Sequence, residues 1–423
     1  MPRLLDGFRR AQAAVAAQFL LLGFQYASWA SRLPAIKARL GLTDAEVGAL
    51  LTTCGIGATA AFPLVAALIK RFGSAAVCVG AVVPLAFVPL ALGAAPDYPV
   101  ALAITCVDGV ALACLDVAMN AQGAQLEEEF ERKTIGRLHA TFSAGALLGA
   151  LLASAVTAAT ANLTVHFAIV AALMLALSGY ARTSLLPSAA PEPSPGDTAP
   201  DEGASGFRIK IFLPTRTTLW IGAAIAFATI VEGALNDWSA LYLKNVAKAA
   251  AGLTPIGIAV FSVSMVVARI FSDAWRKRWG DARVVIAGSA LAGVSLAIAV
   301  LLGGVAPALA GFGLAGLGIA AVAPCIYVAA ARLGTEALAL VSAMGTVGLL
   351  IGPGAIGLIA DAGGLAWAMG SVAGTAVLVA LSACRISWRS APGGETADGD
   401  VAGYAAESPA AGLIPAVDPQ HAT

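Results

Sequence analysis

Twelve times in succession the chain runs apolar for about twenty residues or more, over 11–31, 45–69, 75–95, 99–126, 134–160, 162–181, 217–243, 254–275, 282–304, 306–331, 337–360 and 364–387. An α-helix rises about 1.5 Å per residue, so about 20 residues cross the hydrocarbon core of a bilayer. Inside lipid every backbone amide must find its partner within its own segment, which leaves the transmembrane helix as the form for such runs. Only 12% of the 423 residues are charged and mean hydropathy is +0.84, against about 25% charge in an average soluble domain. The expected fold is an all-α membrane protein of twelve transmembrane helices, with the lipid bilayer as its solvent. Arg9-Arg10 before the first run resembles the start of a signal peptide, but the run continues through Phe24, Tyr26 and Trp29 and reads as an uncleaved first span,.

The breaks between runs are short except at two places. Residues 183–215 hold Pro187, Pro191, Pro193, Pro195 and Pro200 with four acids, the composition of a linker, and 389–423 form an acidic Gly/Pro/Ala tail expected to be disordered,. The expected division is a first six-helix bundle over 1–182, a linker over 183–215, a second bundle over 216–388 and a tail over 389–423. Nineteen of the 25 Lys and Arg fall at the N-terminus and on alternate breaks, five fall on the other breaks, and Arg269 lies within a span. Basic residues collect on the cytoplasmic side. Both termini and the linker are therefore expected in the cytoplasm, and the protein in the cytoplasmic (inner) membrane of a cell.

The two halves repeat one another. Ile69-Lys70-Arg71-Phe72-Gly73 leaves the second span and Arg276-Lys277-Arg278-Trp279-Gly280 leaves the eighth, 207 residues later; Trp29 and Trp238 end the first and seventh spans, 209 apart. Six spans, a linker and six matching spans imply two bundles related by a pseudo-twofold along the membrane normal, a plan that sets the substrate site between the halves near the midplane.

These basic-x-Gly loops resemble the loop motif of the major facilitator superfamily, fitting better in the second half through Arg269, Asp273, Arg278, Gly280 and Arg283. Leu115-Asp116-Val117-Ala118-Met119-Asn120 and His139-Ala140-Thr141-Phe142-Ser143-Ala144-Gly145 resemble the fourth and fifth helices of its fucose-permease-like branch, and Glu232-Gly233-Ala234 with Asp237-Trp238-Ser239 resembles the seventh helix of bacterial members. The resemblance implies the major facilitator fold and a cavity lined by helices one, four, seven and ten. Carried onto this sequence, that places Gln25, Tyr26, Trp29, Asn120, Asn236 and Tyr327 as substrate contacts. It also implies proton coupling at Asp116. The branch's second acid, on the first helix, has no match in Gln25-Tyr26-Ala27-Ser28.

The residues make part of this case by themselves. A carboxylate at mid-span costs at least about 2.5–3.5 kcal/mol, so Asp108, Asp116 and Glu232 are candidate proton-coupling groups,. The alternative for each is a structural acid bonded to a neighbouring helix. Asp237, beside Trp238, is expected near the water interface, and His139 is either a titrating group or a structural hydrogen-bonder. Arg269 and Asp273, four apart, together with Arg71 and Arg278 in the basic loops, are candidate gating groups. The six cysteines lie singly in apolar runs with no metal-ligand spacing, and no Gly-rich loop ends in Lys-Ser/Thr,. No metal, cofactor, catalytic constellation or nucleic-acid partner is expected. The expected activity is proton-coupled secondary transport of a small organic solute, sugar-like in one version, by a monomer. The alternatives are proton-antiport efflux of drugs or metabolites and a non-transporting sensor or scaffold.

Overall fold

The computed structural model describes residues 2–132, 134–187 and 214–388. Most of the expected linker and the whole of the expected tail, 389–423, lie outside them. The first half holds α1 (Pro2–Ala30), α2 (Leu33–Leu40), α3 (Asp44–Ala60), α4 (Phe62–Phe72), α5 (Ser74–Ala94), α6 (Tyr98–Phe130), α7 (Ile135–Ala159) and α8 (Leu163–Ala181). The second holds α9 (Arg216–Asn245), α10 (Ile256–Trp279), α11 (Asp281–Leu302), α12 (Val305–Ile319), α13 (Val322–Ala331), α14 (Thr335–Gly363) and α15 (Leu365–Cys384). Among the described residues eleven segments are long and apolar enough to cross a membrane, and the pair α3–α4 makes a twelfth with a 48° bend. The bend falls just before Pro63, whose missing N–H cannot continue the α3 ladder and which sits in the first turn of α4,. Pro324 stands likewise in the first turn of α13, after the turn that separates it from α12.

Packing repeats between the halves. In the first, α1 packs on α7 and α8, α5 on α6 and α8, and α3 on α6; in the second, α9 packs on α14 and α15, α11 on α12 and α15, and α10 on α12. The correspondence extends to single dihedrals. Gly73 (φ 81°, ψ 157°) and Gly280 (φ 81°, ψ 154°) both close the preceding helix by donating to a carbonyl four residues back, at 2.8 and 2.9 Å. That backbone region is essentially open to glycine alone, which explains why the basic-x-Gly signal reads so clearly in both halves.

Helix crossings within a half depend on missing side chains. A Cβ on Gly145 of α7 would lie 3.0 Å from the Cα of Leu20 on α1 and closer still to its carbonyl, and one on Gly109 of α6 would lie 2.8 Å from the backbone nitrogen of Ala58 on α3 and closer still to the carbonyl oxygen of Cys54. Lipid offers no hydrophobic drive between helices, so such backbone approaches carry the association. Gly145→Val is expected to destabilise the protein by about 1–3 kcal/mol, because backbone cannot step aside as a side chain can. Thermal unfolding in detergent, compared with a valine at the open position Gly179, measures it.

The halves meet along two seams, α3 against α14 and α7 against α10. The α3–α14 seam is tight at the end remote from the basic loops, where Gly48 and Gly357 stack backbone on backbone. At the same end Ser154 of α7 donates to the carbonyl of Gly252, in a 3-10 turn at Ala251–Leu253. Lys244 of α9 also donates to the carbonyl of Pro34 of α2, at 3.3 Å. At the basic end, α4 packs on α3, α5 and α6 of its own half.

Candidate functional site

The first span supplies two consecutive polar residues in its last third, Gln25 and Tyr26, about 100° apart around the helix axis. Gln25 donates from Nε2 to Oδ1 of Asp108 on α6, at 2.9 Å. Tyr26 donates from its hydroxyl to Oδ1 of Asp237 on α9, across the boundary between the halves. Cys54 of α3 adds an Sγ contact to the other oxygen of Asp108, at 3.8 Å. Gln25, Asp108 and Asp237 are 0%, 1% and 4% exposed. Among the described residues neither aspartate has a basic partner within 4.0 Å. A buried acid held by neutral donors has a proton as its available counter-charge. Trp29 is also buried, its ring edge-on to Tyr26 with centroids 6.3 Å apart.

Asp237 corrects an expectation. It does not lie near water: α9 runs on to Asn245, so Asp237 is more than two turns inside the helix. The neighbouring Trp238 is itself wholly buried and marks no interface here.

A second group forms around Arg269 of α10. Its Nη1 donates to Oγ of Ser143 on α7 at 2.6 Å, a bond between halves, and its Nη2 lies 3.4 Å from Oε1 of Glu232 on α9. The Glu232 and Arg269 side chains are 35% and 29% exposed, although Glu232 lies near the middle of α9. The Arg269–Asp273 pair is not formed. Asp273 is turned outward, and its ion pair is with Arg276 at 3.6 Å. A part-buried carboxylate and a hydroxyl hold Arg269 better than an acid in open surroundings. His139 lies one turn before Ser143 on α7, edge-on to Phe19 with centroids 5.0 Å apart.

The remaining candidates are dispersed. Asp116, buried on α6, accepts from Asn120 Nδ2 at 3.3 Å, and the same amide donates to the Asp116 carbonyl at 3.0 Å. It stands two turns from Asp108 towards the basic end. Asn236 donates back to the carbonyl of Glu232 at 3.1 Å. Tyr327 is buried on α13 with its hydroxyl facing Gly345 of α14. Arg71 and Arg278 are exposed, Arg71 lying over the ring of Phe72 at 5.2 Å. The charge cluster at the basic end is built instead on Arg276, which bonds Asp281 at 2.8 Å, with Arg332 4.0 Å from the same acid. Among the described residues no cluster of His, Cys, Asp and Glu could hold a metal ion.

Residues 14–336 match the model of the Major Facilitator Superfamily. The chain belongs to that family. It is 32% identical over 379 residues to an uncharacterized MFS-type transporter of Yersinia pestis, covering 88% of this chain and 94% of the relative. Among solved structures, a bacterial homolog of the human lysosomal transporter Spinster, inward-facing and unoccupied, matches with TM-score 0.70 at 15% identity, over 92% of this chain and 99% of that one. The E. coli fucose:proton symporter FucP matches with TM-score 0.57 at 16% identity, over 88% of this chain and 98% of that one. These likenesses show the major facilitator fold, and family and relative together show a multi-pass membrane transporter.

Two contributors were missed in the sequence. Ser143 and Cys54 are small residues in apolar helices, indistinguishable there from packing positions. The one available signal was the spacing of Ser143 from His139, one turn apart on a single face.

Proposed function

We propose that this superfamily member is a proton-coupled secondary transporter of a small, hydroxylated or charged organic solute. Its acids Asp108 and Asp237 carry the proton, and Glu232, Arg269, Asn120 and Asn236 face the solute. The observation that carries the reading is the pair of bonds from Gln25 and Tyr26, by which neighbouring residues of one helix hold a buried acid from each half. A bare carboxylate resists closure of a dry chamber and a protonated one does not, so proton binding favours the closed form. Solute contacts at the adjoining Glu232–Arg269 group link the two ligands thermodynamically, each raising the other's affinity by the same factor. Arg269, bonded to both halves, serves in gating, and Asp116 with Asn120 lies on the path from the basic end. Basic loops mark that end as cytoplasmic, in the cell's inner membrane. Uptake of a sugar-like solute fits the polar side chains gathered here, and the matched symporter moves fucose with a proton.

The test is solute-induced proton movement in proteoliposomes of the purified protein, with hydroxylated and charged solutes presented in turn. Proton entry that follows solute entry is expected. Solute flux with no accompanying proton movement removes the coupling, and proton flow opposite to solute replaces symport by antiport efflux.

A further inference from the structure

Where α9 and α15 lie side by side at the basic end, Arg216, Thr217 and Trp220 of α9 and Arg385, which follows α15, line one pocket of about 260 Å³. Two arginines at the ends of neighbouring helices thus line one cavity, and among the described residues neither side chain has an ion pair or a hydrogen bond. The contrast on the same rim is Arg276, which is neutralised by Asp281 and Asp273. Trp220 is 39% exposed beside the two cations, the placement of an indole at the boundary between acyl chains and headgroups,. Thr217 adds a hydroxyl donor. Two planar forks, a hydroxyl and an apolar ring at the membrane edge form a set complementary to a phosphate carrying acyl chains.

We propose that this pocket binds the phosphate of an anionic membrane phospholipid, the two arginines gripping the headgroup and Trp220 lying along its glycerol and upper acyl carbons. The occupant is a lipid and not a free anion, because the large side chains exposed at this end of the two helices, Leu219, Trp220 and Leu381, are apolar. Bound there, the lipid ties the start of the second half's first span to the end of its last.

The test titrates delipidated full-length protein in neutral detergent with phosphatidylglycerol, with phosphatidylcholine of the same chains and with inorganic phosphate, reading bound mass by native mass spectrometry. Phosphatidylglycerol is expected to bind in preference to phosphatidylcholine and to resist displacement by phosphate. R216Q/R385Q is expected to bind it roughly thirty-fold more weakly, at about 1 kcal/mol per juxtamembrane arginine and 1.4 kcal/mol per factor of ten. Arg182→Gln, at the matching end of α8, is expected to leave binding unchanged. R216K/R385K keeps the charge without the forks and is expected to bind more weakly than wild type but more tightly than R216Q/R385Q, which separates loss of charge from loss of fold. Equal binding by wild type and R216Q/R385Q overturns the proposal, as does displacement of the lipid by inorganic phosphate at similar concentration.

Discussion

Replacing Asp237 by asparagine is expected to collapse proton-driven accumulation of solute to simple equilibration while leaving solute exchange in place. Asparagine keeps the size of the side chain and a carbonyl oxygen that can still accept from Tyr26, so the bond between the halves survives and only the exchangeable proton is lost. At a membrane potential of about 100 mV one coupled proton supplies about 2.3 kcal/mol, a solute gradient of roughly forty-fold. That whole gradient is the predicted loss, read as the steady-state ratio of labelled solute in proteoliposomes with an imposed potential. Counterflow, which needs no net proton movement, is the control that the variant still binds and moves solute. Accumulation at the wild-type level moves the coupling to Asp108, the other acid held by a neutral donor. Tyr26→Phe makes a complementary change, since it leaves the buried Asp237 without its donor, at a cost of about 1–3 kcal/mol.

Gly48→Val is expected to trap the protein with its remote end open and to slow transport by about 5- to 150-fold. A Cβ at Gly48 would lie 2.8 Å from the carbonyl oxygen of Pro353 and 3.0 Å from the Cα of Gly357. Neither atom can yield without parting α3 from α14. Overpacking of this kind costs about 1–3 kcal/mol, which an equilibrium between two forms registers as that fold-change. The glycine seam lies between halves, whereas Gly109 and Gly145 lie within one, so the same substitution has different consequences. At Gly145 it undermines the bundle, and at Gly48 it penalises one of two conformations of an intact one. Faster modification of the native Cys54 by an impermeant maleimide, applied from the side away from the basic loops and mapped by peptide mass, is the expected signature. Unaltered Cys54 labelling together with wild-type flux would sink the assignment of this seam to the gate.

The spans were legible because length and apolarity are properties of a segment alone, and the repeat was legible because Gly73 and Gly280 occupy a backbone region that admits little else. The bend in the second span was not, since 45–69 is apolar on both sides of Pro63 and a proline can also start a helix without bending the path. The acids show the same division. Asp108 and Glu232 stood out through their cost in hydrocarbon. Asp237 was misjudged because its distance from water depends on where α9 stops, and the polar Lys244 and Asn245 still belong to the helix. Arg269 was seen, but its partners were not: Asp273 lay at helical spacing, while Ser143 is 126 residues away and is chosen only by the packing of α7 on α10.

Gln25 and Tyr26 are consecutive, so the first span cannot turn or slide by itself without straining its grip on both acids together. Asp108 belongs to the same half as the first span and Asp237 to the other, so parting the halves breaks the Tyr26 bond and leaves the Gln25 bond in place. On the proposed reading, the acid of the second half is the one whose surroundings change when the halves rock, while the acid of the first half stays held throughout.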